Sequence, residues 1–128
     1  MNAYRVLVVE DNERNLKLVR DVLQYAGYQV VEATTGEQGV ELAKSLLPDL
    51  VLMDLQLPGI DGIEALRRVR ESDGMAHVPV VAVTAFAMRE DRDRATHAGF
   101  DGYLEKPLSV RELPDQVQRF LTARKQTQ

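Results

Sequence analysis

The chain has 128 residues, 45% of them hydrophobic, so it has the size of one domain and can bury its own core. A net charge of −4 argues against binding to nucleic acid, because such domains concentrate basic residues on one face. The absence of cysteine excludes disulfides and thiolate metal sites and favours a reducing compartment. No apolar run is long enough for a signal peptide or a membrane span. We therefore expect a cytoplasmic protein with no direct contact with nucleic acid or membrane.

Five short apolar runs predict five strands, and the segments between them have helical spacing. The strands are predicted at 5–9, 28–33, 49–53, 79–83 and 102–104. In the first helical segment the apolar residues are Leu16, Val19, Leu23 and Ala26, and in the last they include Leu113 and Val117. Strands that are apolar on nearly every residue and alternate with helices indicate a parallel sheet covered on both faces. We predict an α/β fold of five βα units over residues 1–123, followed by a frayed tail at 124–128.

Capping signals mark several helix boundaries. The segments TTGE at 34–37, DGIE at 61–64 and SVRE at 109–112 each place a capping residue three positions before a glutamate. Gly27 and Gly99 are expected to end helices. Pro114 falls inside the last predicted helix, which must therefore begin late to avoid losing a backbone hydrogen bond.

The fourth predicted helix is unusually charged. Its segment REDRDR at 89–94 leaves only Met88, Ala95 and Ala98 as a thin apolar stripe. By itself such a charge run indicates a solvated face. We expect this helix to be the least firmly packed of the five.

Polar side chains follow four of the five strands. The first strand ends in Glu10 and Asp11, the third in Asp54 and the fourth in Thr84, while Lys106 closely follows the fifth. Taken singly, an aspartate could cap a helix or open a turn, and a threonine could bond to the backbone. However, the carboxyl ends of parallel strands meet at one edge of the sheet, where ligands bind. Three converging acidic groups repel one another, so a cation is required there.

One lysine cannot balance the charge of three carboxylates, so we expect a divalent metal ion to supply the remaining positive charge. The donors are all oxygens, and His77 and His97 lie on segments remote from the strand ends. Hard oxygen ligands indicate Mg²⁺, or Mn²⁺ as a substitute. Since Mg²⁺ prefers to share its shell with a phosphate oxygen, the site predicts a phosphorylated ligand or intermediate.

Four motifs in this order resemble the response-regulator receiver domains of two-component signalling. They are VLVVEDN, DLVLMDLQLPGIDG, VPVVAVTA and GYLEKPL, and the resemblance covers essentially the whole chain. It implies a flavodoxin-like (βα)5 fold with the parallel sheet in the order 2-1-3-4-5. Within the family, VEDN, MDLQLP and HVPVVAVTAFAM are similar to stand-alone receivers of the DivK type, a cell-cycle regulator.

The resemblance implies that Asp54 accepts a phosphoryl group from a phosphohistidine and becomes an acyl phosphate. It further implies that Mg²⁺ is bound by Asp54, by Asp11 directly, by Glu10 through water and by the backbone carbonyl of Gln56. The family more often has two aspartates where this chain has Glu10 and Asp11, a variant expected to alter the water shell around the metal.

Other site residues also receive roles from the resemblance. Thr84 and Lys106 are expected to hold phosphoryl oxygens, with Lys106 and the metal neutralising charge in the transition state. Phosphorylation would draw the Thr84 hydroxyl toward Asp54, and Tyr103 would fill the vacated space. We predict that Phe86, two residues after Thr84, shields the phosphoryl group from water.

The expected partners are a histidine kinase or histidine phosphotransfer protein and a downstream target that docks on the surface of the fourth helix, fifth strand and fifth helix. The protein is not expected to turn over a free substrate. The main alternative is an aspartate-nucleophile phosphohydrolase, although such enzymes usually place a second aspartate where this chain has Gln56. A flavin-binding module is disfavoured because EDNERN would repel a phosphate without a metal. A receiver that is never phosphorylated is the third alternative.

Overall fold

The computed structural model describes residues 3–85 and 88–126, which form five strands and five helices in strict alternation. The strands are β1 (Arg5–Val9), β2 (Gln29–Ala33), β3 (Leu50–Asp54), β4 (Val80–Thr84) and β5 (Gly102–Glu105). The helices are α1 (Glu13–Tyr25), α2 (Gly36–Leu46), α3 (Gly62–Arg70), α4 (Arg89–Ala98) and α5 (Leu113–Gln126). Each predicted strand lies within one residue of an observed one. No helix in the described part of the chain is both long and apolar enough to cross a bilayer.

All five strands pair in parallel, in the order β2-β1-β3-β4-β5. The central strand β3 and its neighbour β1 are aligned so that Val9 lies beside Met53. After β1, the chain adds β2 on one side of it and then β3, β4 and β5 on the other side. The topological switch point therefore lies at the carboxyl ends of β1 and β3. That position is where open α/β sheets bind ligands, and the predicted order 2-1-3-4-5 is confirmed.

The sheet separates two hydrophobic layers because successive strand side chains point to opposite faces. On one face, Leu7 and Val9 of β1 pack with residues of α2, α3 and α4. On the other face, Val6 and Val8 pack against α1 and α5. The central strands are buried on both sides, which explains why their sequences are apolar without alternation.

Side-chain caps define the starts of several helices. Asp61 caps α3 as predicted, accepting a hydrogen bond from the backbone N–H of Glu64 at 2.9 Å. The cap of α2 is Thr35, one residue later than predicted, and it accepts from the N–H of Gln38 at 3.1 Å. The predicted α2 cap was therefore one residue too early; the Gln38 side chain in turn accepts from the N–H of Thr34 at 2.9 Å.

The last helix begins late enough to accommodate its proline. Ser109 accepts a hydrogen bond from the N–H of Glu112 and thereby orders the turn that precedes α5. Pro114 is the second residue of α5, where a backbone N–H has no intrahelical partner in any case. The helix continues to Gln126, past the expected domain end at residue 123, and that domain boundary stays a prediction.

Helix α4 is the least buried of the five in composition and in packing. Ala95 is its only buried residue among those described, and Met88, the N-cap residue just before the helix, makes no side-chain cap. Met88 is 67% exposed, so the expectation that it packs in the apolar stripe was wrong. At the other end, Gly99 ends the helix at φ +106°, a left-handed conformation that favours glycine.

Candidate metal centre

The polar residues after β1 and β3 lie side by side because these two strands are neighbours in the sheet. Glu10 directly follows β1 and continues its ladder, donating its N–H to the carbonyl of Ala33 at 2.9 Å. Asp54 is the last residue of β3. Both side chains are only 5% exposed. Parallel pairing thus buries two carboxylates at the same edge of the sheet.

Asp11 completes an acidic cluster with Glu10 and Asp54. One carboxylate oxygen of each residue lies within 4.8 Å of the other two. Asp11 is exposed, and the cap of α1 is its neighbour Asn12, which accepts from the N–H of Asn15 at 3.0 Å. Of the two residues that could have capped this helix, Asp11 and Asn12, the cap is Asn12, so the carboxylate of Asp11 is left to the cluster.

Lys106 reaches into the same cluster from the end of β5. Its Nζ donates to Oε1 of Glu10 at 2.7 Å and to Oδ2 of Asp54 at 2.8 Å. Its backbone N–H donates to the carbonyl of Thr84 at 2.8 Å, and the Lys106–Pro107 peptide is cis. Burial opposes the charged ammonium, but hydrogen bonds to the two carboxylates raise the pKa of Lys106 above its usual value. Lys106 is therefore a cation that the cluster holds in place.

A single ammonium leaves the cluster electrostatically unbalanced. Burial, followed by hydrogen bonding with Asp54, raises the pKa of Glu10 to about 7, although Lys106 opposes the shift. The second oxygen of Glu10, Oε2, is buried without a hydrogen-bond partner in the described structure. A buried acceptor without a partner is costly. The cluster therefore has the charge, the oxygen donors and the unmet bonding capacity that fit a hard divalent cation.

The loop after β3 holds Asp54 in a fixed orientation. Its Oδ1 accepts a hydrogen bond from the backbone N–H of Gln56 at 2.9 Å, so the turn-forming role considered for Asp54 is also present. Gly62, the first residue of α3, packs so closely that an added Cβ would lie 2.6 Å from the Asp54 carbonyl oxygen and 2.8 Å from Cα of Leu55. The loop backbone is thus braced against α3, although the expected role of the Gln56 carbonyl as a metal ligand stays a prediction.

The predicted switch residues lie on the adjacent strands β4 and β5. Thr84, the last residue of β4, is almost fully buried beside β3. Tyr103 is half-buried on β5, and the guanidinium carbon of Arg92 lies 5.5 Å from the centre of its ring. Phe86 falls outside the described residues. The proposed movements of these side chains stay predictions.

A cleft opens beside the cluster between the strand ends and α4. It is lined by Asp11, Gln56 and Thr84 together with Asp61, Asp91 and Arg94, among others. Sequence reasoning treated Asp61 only as a helix cap and Arg94 only as part of a charge run. Nothing in the sequence alone could identify Arg94, because the charge run alternates in sign and only the helix orientation selects which residues face the cleft.

Comparison with known proteins agrees with this architecture. The sequence pattern of the response regulator receiver domain family matches residues 6–118. A polar-differentiation response regulator DivK from Brucella anthropi is 40% identical over 116 residues, which are 91% of this chain and 94% of that protein. DivK from Brucella ovis has the same identity and coverage.

Solved structures show the same fold. A CheY-like receiver from Methanospirillum hungatei superposes with a TM-score of 0.90 at 26% identity, covering 99% of this chain and 100% of that one. The receiver domain of a sensor histidine kinase from Pseudomonas aeruginosa, solved with magnesium in its active-site cleft, has a TM-score of 0.87 at 36% identity. That match covers 94% of this chain and 99% of the other. The chain therefore belongs to the response regulator receiver domain family of two-component signalling.

Proposed function

We propose that this receiver accepts a phosphoryl group on Asp54 in a magnesium-dependent reaction and signals by docking to another protein. The observation that carries the proposal is the contact of one buried lysine with two buried carboxylates, beside a third carboxylate that contributes to the same cluster. Such a site concentrates negative charge where a dianionic group must arrive. It is useful only if further positive charge accompanies that group.

Asp54 is the acceptor because it is the carboxylate that the structure orients most firmly. The Gln56 N–H holds Oδ1 and the Lys106 ammonium holds Oδ2. In the reaction an Asp54 oxygen bonds to phosphorus while the P–N bond of the phosphohistidine breaks. The imidazole leaves with the electron pair of that bond and takes up a proton from solvent. Fixing the nucleophile in this way supplies the positioning on which phosphoryl transfer depends.

The residues that would hold the metal are Glu10, Asp11 and Asp54, together with the carbonyl of Gln56. Bound there, Mg²⁺ would neutralise carboxylate charge and the charge on the phosphoryl oxygens, and Mn²⁺ could replace it. The related receiver from Pseudomonas aeruginosa supports this assignment, since its structure carries magnesium in the active-site cleft. The unpartnered Oε2 of Glu10 supports it independently.

Lys106 and Thr84 would hold phosphoryl oxygens after transfer. Lys106 already lies at hydrogen-bonding distance from Asp54, and Thr84 lies at the end of the adjacent strand. We infer that Thr84 then moves toward Asp54 and that Tyr103 fills the space behind it. The weak packing of α4 supports such a switch, because mobile elements come from the least stable parts of a fold.

The partners follow from this chemistry. A sensor histidine kinase or histidine phosphotransfer protein would supply the phosphoryl group, and a protein target would dock on α4, β5 and α5. The likeness to the DivK response regulators, 94% of whose length is matched, supports a stand-alone signalling role. We place that role in the cytoplasm, with which the absence of cysteine is compatible. We do not propose turnover of a free substrate, because Gln56 stands where a hydrolase of this type would usually place its acid-base aspartate.

The test is phosphorylation by acetyl phosphate with Mg²⁺, followed by the mass of the intact protein. Wild type should gain one phosphoryl group, whereas Asp54→Asn should gain none, and chelation of the metal should abolish the gain. Asp61→Asn serves as a matched control, because it removes another carboxylate that lines the cleft but lies outside the cluster.

The outcomes separate the competing functions. Labelling of Asp54→Asn would reject Asp54 as the acceptor. Steady release of phosphate that is faster than the phosphorylated protein loses its phosphoryl group would favour the hydrolase. Absence of labelling in wild type with both acetyl phosphate and a phosphorylated histidine kinase would favour a receiver that is never phosphorylated.

A further inference from the structure

Arg94 of α4 is a cation in the cleft for which the mechanism has so far assigned no role. It lines the cleft together with Asp11, Gln56 and Thr84. Among the described residues Arg94 forms no ion pair and no hydrogen bond, although Asp91, one turn earlier, lines the same cleft. Arg92 contrasts with it, since its guanidinium is placed over Tyr103 and 3.9 Å from Glu105. Arg94 is thus a cation available to an incoming anion.

We expect the incoming anion to enter on the side of the cleft. Lys106 is already bonded to Glu10 and Asp54 from within the cluster. Asp54 and Lys106 themselves line a second, small cavity, whereas the cleft is lined by Leu55 and Gln56, which directly follow Asp54. Most of the lining of the small cavity is apolar, including Val8, Val19, Leu52 and Val83. A dianion would lose its hydration there without compensation. The lining of the cleft instead includes the hydroxyl residue Thr84 and the cation Arg94, together with the carboxylates of Asp11, Asp61 and Asp91, which make a cation necessary there before a dianion can approach.

Position on the helix explains why this arginine faces the cleft. Arg94 lies one helical turn after Asp91 and next to Ala95, the only buried residue of α4 among those described. Asp91 and Ala95 both line the cleft, so this side of the helix faces it. Arg89 lies more than one turn earlier on the same helix and does not line the cleft. Both side chains carry one positive charge and both are exposed. Substituting each residue in turn therefore distinguishes a contact made in the cleft from the long-range effect of one positive charge.

We propose that Arg94 is a specificity-determining residue that binds the phosphoryl group of the donor as it approaches Asp54. A guanidinium recognises phosphate oxygens through two parallel hydrogen bonds, so it favours a dianionic phosphoryl donor. With acetyl phosphate, an Asp54 oxygen bonds to phosphorus while the P–O bond to the acetyl group breaks, and acetate leaves with the electron pair. Arg94 takes no proton and forms no covalent bond in this step. The inference rests on the proposed phosphorylation of Asp54 and adds a residue to it.

The experiment measures the initial rate of phosphorylation against acetyl phosphate concentration at saturating Mg²⁺. The variants are Arg94→Ala, Arg94→Lys and the control Arg89→Ala. We expect Arg94→Ala to raise the half-saturating donor concentration about 10-fold while the limiting rate changes less than about two-fold. Arg94→Lys should recover part of the loss, and Arg89→Ala should behave as wild type.

Equal small effects of Arg94→Ala and Arg89→Ala would overturn the inference, because only long-range charge would then be involved. A loss confined to the limiting rate would also overturn it, since that result indicates a structural defect. Either result is obtained with labelled wild type and therefore leaves the proposed function standing. Failure of wild type itself to be labelled would instead reject the proposed function.

Discussion

Replacing Asp11 by asparagine should stabilise the metal-free protein and remove its response to Mg²⁺. In the metal-free cluster, Lys106 bonds to Glu10 and Asp54. The Asp11 carboxylate adds a third negative charge, and its substitution removes that charge while keeping the size of the side chain. The unfolded chain separates Asp54 from Asp11, so the repulsion between these two charges opposes folding.

The separation within the cluster sets the magnitude. Two unit charges 4.8 Å apart repel by about 3.5 kcal/mol at an effective dielectric constant of about 20, and by about 0.9 kcal/mol in water. Because Asp11 is exposed, the lower figure is the better guide, and Lys106 offsets part of the repulsion. We expect a gain of about 1 kcal/mol, which for a chain of 128 residues corresponds to a rise in Tm of about 4 °C.

Urea unfolding followed by circular dichroism, with a chelator and then with Mg²⁺, measures both effects. At a metal concentration ten times its Kd, wild type should gain about 1.4 kcal/mol, whereas Asp11→Asn should gain almost nothing. Asp93→Asn on exposed α4 makes the same change in net charge away from the cluster and should respond to Mg²⁺ as wild type does. The reasoning fails if Asp11→Asn is less stable than wild type without metal, or if Mg²⁺ stabilises both equally.

Three other changes test the same site. Since the pKa of Glu10 is raised from 4.5 to about 7 in the folded protein, wild type without metal should lose stability relative to Glu10→Gln as pH rises from about 4.5 to 7, and urea midpoints across that range would show it; parallel midpoints would contradict it. Lys106→Met should reduce the free energy of unfolding without metal by about 2 kcal/mol, because Glu10 and Asp54 lose their shared cation. It should also abolish phosphorylation. An unchanged urea midpoint would show that the ammonium does not stabilise the cluster. Gly62→Ala should cost more than about 2 kcal/mol, because its Cβ would lie 2.6 Å from the Asp54 carbonyl and 2.8 Å from Cα of Leu55; stability equal to wild type, measured by the same unfolding curves, would show that the loop can move at no cost.

Much of the fold could be predicted because its local signals agree. The continuous apolar character of Val6–Val9 and Leu50–Met53 reflects burial on both faces of a parallel sheet, and the observed strands follow it. The cap of α2 was misplaced by one residue because two adjacent threonines offer the same hydroxyl, and only tertiary context selects Thr35. Met88 was placed in the apolar stripe of α4 on polarity alone, which cannot show that its side chain is 67% exposed.

The candidate site was predictable where the backbone fixes it. Parallel neighbouring strands bring Glu10, Asp11 and Asp54 together without any choice of side-chain orientation. Whether Lys106 would bond to both buried carboxylates could not be predicted, because its long side chain has several rotamers. Arg94 could not be distinguished from its neighbours, since the rotation of a weakly amphipathic helix is set by packing.

The position of the metal tests the central claim most directly. A crystal grown with Mn²⁺ in place of Mg²⁺ gives an anomalous signal that locates the ion without reference to any assumed ligand. We predict a single strong peak within bonding distance of carboxylate oxygens of Asp11 and Asp54 and of the Gln56 carbonyl. A peak elsewhere, or none at a concentration that supports phosphorylation, would contradict the account.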